Sequence, residues 1–371
     1  MNSAVGFSSF YSPLSPQTMP ESGLHFLIVR LSSIGDIVHA LPAVAALGDA
    51  FPGSQIDWVI EKRHASLLDG NPYVHRVIEL NTLNWRKEPL SPRTLEQAVR
   101  SGMALREAPF DAAVDFQGLL KSAFLARFSG ARMRVGFSEY WLREPLAGVF
   151  YTDRVSPQGR KHVIEMNLSL VERLGAEAVP AERWKFPLPQ SEADDRDVES
   201  RLSALEAPDF IVLNPGGGWK SKCWPPENYA QLIRRLEGES SGRILLTGSP
   251  GEESVIQEIL RQAGAQRAAY FPCTIAQLIA LARRARLFVG GDTGPVHLAE
   301  AAGTPVVEIF SSTERTNTPE RNGPFRSEDI VVVNRNGRPR RSPAKSSDYM
   351  RDVSVESVLA AIHERLARSH E

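Results

Sequence analysis

The sequence is poor in cysteine and carries almost no net charge, and each feature excludes a class of site or partner. Of its 371 residues only two are cysteines, Cys223 and Cys273, which lie far apart and form no metal-ligand spacing. Two free thiols in a reducing compartment fit this usage better than a structural disulfide. The formal net charge is −1, so the whole chain offers no electrostatic case for binding nucleic acid.

Long apolar runs are also missing. No run reaches the roughly 18 residues that a transmembrane helix needs, although 42% of the residues are hydrophobic. Residues 1–22 contain Ser, Pro and scattered aromatics without a basic start or a continuous apolar stretch, so we expect a disordered tail and not a secretion signal. The sequence therefore predicts a cytoplasmic protein, or one that is peripheral on the inner face of a membrane.

What is present is a regular alternation of short apolar runs and amphipathic segments. Leu24–Arg30 is nearly all apolar, which is typical of a buried strand in a parallel sheet. The alternation continues to a helix at His162–Leu174 and restarts at Phe210, after a connection that contains four prolines and many acidic residues. Because such alternation implies right-handed crossovers, the sequence predicts an α/β fold with two parallel sheets in two domains.

The first candidate site is Ser32-Ser33-Ile34-Gly35-Asp36, directly after the first strand. Ligands of doubly wound folds bind in the crevice at the carboxyl ends of strands, so Asp36 is a candidate general base. Its alternative role is to cap the next helix. His39 lies three residues further on and is either a packing residue or a substrate contact.

The second candidate site is the glycine-rich segment Asn214–Trp224, again after a strand. Its three consecutive glycines allow a ligand to approach the backbone closely, and Lys220 and Lys222 can neutralise phosphate. A turn without a ligand is an equally good interpretation. The spacing does not match a P-loop.

The third candidate site begins where the strand around Leu287–Val289 runs into Gly290 and Gly291. Asp292-Thr293-Gly294-Pro295 then leads into a helix that contains His297. The exposed amides of a helix's first turn and the helix dipole favour a diphosphate there, and proline suits that turn. The alternative is that Asp292 or Thr293 only caps the helix and that His297 is a buried histidine with satisfied hydrogen bonds.

One basic segment lies near the carboxyl terminus. It is either a solvated loop or a contact for anionic lipid or substrate phosphate, and its basic residues are Arg335, Arg338, Arg340, Arg341 and Lys345.

Together with other motifs, these sites resemble glycosyltransferase family 9, the lipopolysaccharide heptosyltransferases, and most closely its heptosyltransferase I members. The resemblance covers about Leu24 to Leu366. It rests on motifs that occur in family order: Ser32–His39 (SSIGDIVH), Asp57–Val59 (DWV), Asp115–Ser122 (DFQGLLKS), Arg143–Ala147 (REPLA), Lys222–Pro225 (KCWP), and Asp292–Gly294 (DTG) with His297.

The resemblance implies a GT-B fold, in which two Rossmann-like domains face each other across a cleft. Residues 23–180 would bind the acceptor and residues 181–352 the nucleotide sugar. The closing helix, residues 353–371, would cross back to the first domain. The family inverts the anomeric centre without a metal, so no metal site and no cofactor are expected.

The resemblance also implies roles for single residues. Asp36 would deprotonate the acceptor hydroxyl, and Lys222 would bind the donor phosphate and stabilise the departing nucleotide. Acceptor contacts are expected at Ser33 and His39, and, because the acceptor carries carboxylates and phosphates, at Lys121 and Arg143. Donor contacts are expected at Gly217, Gly218, Lys222, Glu252 (at the ribose), Cys273, Asp292, Thr293, Gly294 and His297.

The expected reaction is transfer of L-glycero-D-manno-heptose from ADP-heptose to a Kdo sugar of the lipid A inner core, at the inner face of the inner membrane. Gly217 and Gly218 stand where heptosyltransferase I commonly has hydroxyl residues, so heptosyltransferase II or another family 9 enzyme is the alternative. A nicotinamide-dependent oxidoreductase lacks support because no glycine fingerprint follows the first strand. A non-catalytic two-lobed binding protein would need no general base.

Overall fold

The computed structural model describes residues 23–82, 84, 88, 91–218, 222–239, 242–310, 317–333, 350 and 352–368. The predicted tail at residues 1–22 and the basic segment Arg335–Lys345 lie outside these ranges. Within them the predicted α/β architecture is confirmed, with two six-stranded sheets whose neighbouring strands are parallel. No helix in these ranges has both the length and the apolar character to cross a bilayer.

The first sheet has the strand order β3-β2-β1-β4-β5-β6. Its strands are β1 (His25–Val29), β2 (Gln55–Glu61), β3 (Arg76–Leu80), β4 (Ala112–Asp115), β5 (Met133–Phe137) and β6 (Asp153–Val155). The α-helices of this half are α1 (Ile34–Val38), α2 (Leu41–Ala50), α3 (Pro92–Ala104), α4 (Leu120–Phe128) and α5 (Val163–Glu172).

The second sheet has the order β12-β11-β10-β7-β8-β9. Its strands are β7 (Phe210–Asn214), β8 (Arg243–Leu246), β9 (Ala268–Tyr270), β10 (Leu287–Gly291), β11 (Val306–Phe310) and β12 (Ile330–Val333). The helices are α6 (Glu192–Ala204), α7 (Pro226–Glu239), α8 (Glu253–Ala263), α9 (Ile275–Ala282), α10 (Gly294–Ala301), α11 (Pro319–Asn322) and α12 (Val355–Ala367).

The two sheets share one topology, because each places its first and fourth strands side by side. In a doubly wound sheet the strand order reverses at this point, which opens a crevice at the carboxyl ends of the two strands. The loops after β1 and β4 flank the crevice of the first sheet, and the loops after β7 and β10 flank that of the second. All three candidate sites of the sequence follow β1, β7 or β10.

The two crevices meet where α1 packs against α10. A Cβ atom added to Gly294 would lie 2.6 Å from Cβ of Ile34, and one added to Gly35 would lie 2.5 Å from the His297 ring. Both positions therefore have room only for glycine. This contact brings the start of α1 against the first turn of α10.

The closing helix α12 packs on the second half, against α7, β11 and β12. The Trp224 indole donates to the Val353 carbonyl at 2.9 Å, and Arg365 donates to the buried Asp329 at 2.7 Å. Apolar side chains of α12 belong to the core of the second sheet. The expected return of this helix to the first domain is therefore wrong for the described residues.

Candidate active site

Asp36 lies in the first turn of α1, at the edge of the cleft. The amide and hydroxyl of Ser33 donate to one carboxylate oxygen, Oδ2, at 3.0 and 2.8 Å, while Oδ1 pairs with the Arg30 guanidinium. The Asp36 side chain remains 43% exposed. Ser33 is the N-cap of α1, and Asp36 is the third residue of the helix and completes a capping box with it, so Asp36 takes part in capping without being the N-cap. This contact leaves the carboxylate accessible from the cleft.

Arg30, which sequence analysis did not identify as a site residue, fixes the environment of Asp36. It follows β1 and is nearly buried, donating to the Phe116 carbonyl at 2.6 Å, and its own carbonyl accepts from the Trp58 indole at 3.0 Å. The first contact holds the guanidinium at the end of β4, and the second ties the Arg30 backbone to β2. The only sequence signal was one charged residue at the end of an otherwise apolar strand.

A second guanidinium lies within electrostatic range of Asp36, on the other half of the molecule. Burial lowers the pKa of Arg321 in α11, the charge of Asp36 raises it, and Arg30 lowers it further, so these three groups lie within electrostatic range. Burial by itself would raise the pKa of Asp36, but Arg30 and the Ser33 hydrogen bonds outweigh it and hold that pKa below its usual value. Asp36 is therefore ionised at neutral pH.

Asp292, at the end of β10, organises the opposite side of the cleft. Its carboxylate accepts from Asn317 at 2.6 Å, pairs with the Lys222 ammonium, and lies 3.3 Å from Nε2 of His297. Burial would raise the pKa of Asp292, but the His297 and Lys222 contacts lower it far below its usual range. A quarter of the Lys222 side chain stays exposed, so the ammonium is oriented by Asp292 and still accessible.

The first turn of α10 offers donors with no protein partner. Thr293 is the residue before the helix, yet its hydroxyl makes no capping hydrogen bond and is buried without a partner among the described residues. Pro295 occupies the second helical position, where it sacrifices no hydrogen bond. This turn is suited to a diphosphate, because it combines the amides at the start of the helix, the helix dipole and the nearby Lys222.

Comparison with known proteins decides the family. The family model for glycosyltransferase family 9 (heptosyltransferase) matches residues 98–349. The lipopolysaccharide heptosyltransferase 1 of Pseudomonas aeruginosa is 32% identical over 298 residues, which cover 78% of this chain and 79% of that protein. The chain belongs to glycosyltransferase family 9.

Other family 9 proteins agree with this assignment. The lipopolysaccharide heptosyltransferase 1 of Escherichia coli K12 is 30% identical over 294 residues, covering 78% of this chain and 89% of that protein. The solved structure of E. coli heptosyltransferase WaaC with ADP has a TM-score of 0.74 and 26% identity, and covers 92% of this chain and 100% of that one. The predicted GT-B fold and glycosyltransferase activity are thereby confirmed.

In this family 9 chain, Glu252 joins two loops of the second half. Its carboxylate accepts from the Gly217 amide at 2.8 Å and from the amide and hydroxyl of Ser249 at 2.7 and 2.8 Å. A Cβ atom at Gly216 would lie 2.3 Å from this carboxylate, whereas one at Gly218 would meet open space. Glu252 therefore sets the shape of the glycine-rich loop, and its contact with a ribose stays a prediction.

Cys273 follows β9 and faces the same crevice edge. Its thiol contacts the Phe271 carbonyl at 3.4 Å, and burial raises its pKa to about 11, so it is neutral at physiological pH. Neither Cys223 nor Cys273 forms a disulfide, as the sequence predicted.

The expected acceptor residues have different environments. Ser33 and Arg143 are exposed, and Lys121 is half-buried on α4. His39 is only 3% exposed, and its ring lies 4.5 Å from that of His297 and 5.6 Å from that of His162. Burial lowers the pKa of His39 well below its usual value. His39 thus packs as a neutral ring between the two halves, which agrees with the packing role, and its contact with the acceptor stays a prediction.

One group of side chains in the described ranges has the composition of a metal site. Ligand atoms of Asp292, His297 and Glu308 lie within 4.8 Å of one another. However, the Lys222 ammonium already contacts Asp292, and burial raises the pKa of Glu308 well above its usual value. A protonated carboxyl is a poor ligand, so these residues fit a site whose cation is Lys222 better than one that holds a metal.

Proposed function

We propose that this family 9 glycosyltransferase is a lipopolysaccharide heptosyltransferase I. It transfers L-glycero-D-manno-heptose from ADP-heptose to a Kdo sugar of the lipid A inner core. The observation that carries the proposal is the contact of α1 with α10, which sets an ionised carboxylate opposite a helix N-terminus and a lysine. The similarity to two curated heptosyltransferase 1 proteins at 30% identity or more supports the choice of sugar and acceptor.

Asp36 is the general base of the reaction. A sugar hydroxyl is a weak nucleophile at neutral pH, so a positioned base must take its proton as the new bond forms. The acceptor oxygen attacks the anomeric carbon from the face opposite the diphosphate, and the bond from that carbon to the phosphate oxygen breaks. The configuration is inverted, the proton stays on Asp36, and ADP departs.

Lys222 and the first turn of α10 stabilise the departing ADP. Negative charge develops on the β-phosphate as the bond breaks, and fixed donors in a narrow cleft stabilise it without reorganisation. Asp292 holds the Lys222 ammonium at this point, and His297 lies beside it. Thr293 and Gly294 supply the amides and the unpartnered hydroxyl.

The nucleoside lies along the loops that Glu252 joins. Gly217 and Gly218 allow the backbone to approach the donor, and Glu252 and Cys273 line the carboxyl ends of β8 and β9. Lys222 supplies the cation that a metal supplies in other transferases, so neither a metal nor a cofactor is required.

The acceptor binds the first half, through Ser33, Lys121 and Arg143. Guanidinium and ammonium groups suit the carboxylate of Kdo and the phosphates of lipid A. Because this acceptor is a lipid, the protein works at the cytoplasmic face of the inner membrane as a peripheral protein.

A screen of donors and acceptors tests the function. Purified protein is incubated with ADP-heptose, UDP-sugars and GDP-sugars, each with a Kdo-bearing lipid A acceptor or its singly heptosylated product, and the products are identified by mass spectrometry. We expect one heptose added from ADP-heptose to the Kdo acceptor, and the same yield in EDTA. Transfer only to the heptosylated acceptor would assign heptosyltransferase II, and activity only with added metal would refute the metal-free mechanism.

A further inference from the structure

Exposed large apolar side chains of the described residues gather on one side of the first half. Met103 is 69% exposed and Phe124 is 54% exposed, whereas Val255 is the one such side chain outside the first half. We call the following six residues the apolar face: Val99, Met103, Leu120, Phe124, Leu146 and Val149.

The apolar face is continuous across three elements. Val99 and Met103 of α3 line a groove of about 490 Å³ together with Phe128 of α4. Phe128 stacks on Phe124 with ring centroids 6.0 Å apart, and Phe124 meets the Phe150 ring edge-on at 6.5 Å. Phe150 ends the short helical segment that carries Leu146 and Val149. A continuous exposed apolar surface of this extent indicates an interaction site.

Basic side chains surround the apolar face. The segment from Leu120 to Arg134 contains four basic residues and no acidic one, in a chain whose net charge is −1. The Arg106 guanidinium lies 5.4 Å from the centroid of the Phe128 ring. Burial lowers the pKa of Arg134, and the nearby charge of Arg127 lowers it further.

Neighbouring acids offset these charges only in part. Among the described residues, Glu96 pairs with Arg100, Glu107 with Arg76, and Glu139 with Arg154. Glu144 accepts from the Leu120 amide at 2.7 Å, and Asp153, which pairs with Arg173, partly offsets the charge of Arg134. Arg106, Arg127 and Arg132, all exposed, are left to face solvent.

We propose that the apolar face docks on an anionic lipid bilayer, with its apolar side chains in the interfacial region and the arginines among the headgroups. Apolar residues flanked by lysine and arginine are the pattern of interfacial membrane binding. A second copy of this chain fits less well, because a two-fold interface would set each arginine cluster against itself. The proposal rests on the proposed function in one respect: the half that binds the lipid acceptor is the half that meets the membrane.

Vesicle flotation tests the surface, with phosphatidylethanolamine vesicles that do or do not contain phosphatidylglycerol. We expect binding to the anionic vesicles that weakens as salt rises. The double variant Met103→Glu with Phe124→Glu should bind at least about tenfold more weakly, because buried apolar area is lost. Arg127→Gln with Arg132→Gln should lose about fivefold per residue. Val255→Glu, a matched change on the second half, should bind like the unaltered protein.

Heptose transfer is measured in parallel with a de-acylated, water-soluble Kdo acceptor, so that transfer does not depend on membrane binding. The docking proposal and the proposed function can therefore fail independently. If the protein transfers heptose but does not bind vesicles, the docking proposal is wrong and the function is unaffected. The same holds if Val255→Glu weakens vesicle binding as much as the double variant does. Vesicle binding through this face without heptose transfer supports the docking proposal and overturns the function. If light scattering shows a dimer that the double variant dissociates while vesicle binding is unchanged, a second copy is the occupant and the proposal is wrong.

Discussion

At the scale of single residues, Asp36 combines two tasks that a sequence cannot separate. It accepts the Ser33 amide as part of a helix cap and presents a carboxylate to the cleft. Asparagine keeps the size and much of the capping capacity but removes the basicity. Asp36→Asn should therefore lower turnover by a factor on the order of 10²–10⁴, measured at saturating donor and acceptor.

A control carboxylate distinguishes this effect from the loss of any ion pair. Asp49 pairs with Lys185 at 2.8 Å on the surface, so Asp49→Asn should keep its turnover. Donor affinity and melting temperature of Asp36→Asn should change little. An Asp36→Asn protein with more than about a tenth of normal turnover would rule out the general-base role.

Lys222 is the residue whose removal should affect both donor binding and chemistry. Lys222→Ala deletes a charge-assisted contact to the diphosphate, worth about 1.5–3 kcal/mol, and leaves the buried Asp292 without its cation. Calorimetric donor affinity and kcat/KM at limiting donor should both fall. Lys185→Ala, which removes an exposed lysine, is the matched control, and unchanged kinetics of Lys222→Ala would exclude this residue from the donor site.

Arg321 should tune the base from across the cleft. The charge of Asp36 raises the pKa of Arg321, and because the attraction between two opposite charges is mutual, Arg321 favours the ionised form of Asp36. Removing Arg321 should therefore raise the pKa of that carboxyl, which Arg30 and the Ser33 hydrogen bonds already hold below its usual value. The acidic limb of the pH–rate profile should therefore move to higher pH in Arg321→Ala. Arg286→Ala, at a surface ion pair with Asp209, should leave the limb in place, and identical profiles for both variants would contradict the assignment.

At the scale of elements, the packing of α1 on α10 assembles the site from both halves. Gly294→Ala would place a methyl group 2.6 Å from Cβ of Ile34, an overlap that costs about 1–3 kcal/mol unless the helices separate. We expect turnover to fall, whereas the affinity for the donor, which binds the second half, should be kept. Gly238→Ala, in α7 with open space around it, should have normal turnover, and equal activity in both variants would show that this packing is not needed.

The sequence pattern predicted some strands accurately and failed to predict others. The strongly apolar strands β1 and β10 were predicted to within two residues, whereas no strand was predicted at β5, β6 or β9. Those three have three to five residues each, and Arg134 and Gly136 interrupt the apolar pattern of β5. Such strands depend on pairing with a neighbour, because their own sequences bury too little apolar surface to favour the extended form.

At the scale of the whole molecule, buried carboxyl groups make stability depend on pH. Burial raises the pKa of Glu300 to about 8, while its carboxylate accepts from the Phe325 amide at 2.6 Å. The folded state therefore holds this proton more tightly than the unfolded state, whose pKa is near 4.5. The resulting stability is fully present below that value and is lost as the pH rises toward 8.

Glu300→Gln should remove this loss, since the amide is neutral at every pH and its oxygen can still accept a hydrogen bond. The free energy of unfolding of both proteins is measured with urea at pH 5, 7 and 9. The value for the variant, relative to that of the unaltered protein, should increase with pH by up to a few kcal/mol. Parallel pH dependence of the two proteins would contradict the raised pKa.

The sequence by itself determined the two-sheet α/β fold and the three strand-end loops, because buried strands and glycine-rich turns leave local patterns, and the resemblance of its motifs indicated the family. Asp36, Lys222 and Asp292 became candidate site residues in this way, and their roles stay predictions. Only the tertiary structure decided that Arg30 pairs with Asp36, that Arg321 lies within electrostatic range of it, that His39 is buried between the halves, and that α12 stays on the second sheet. Apart from the local Arg30 pair, these facts depend on contacts between residues tens to hundreds of positions apart, which periodicity along the chain cannot encode.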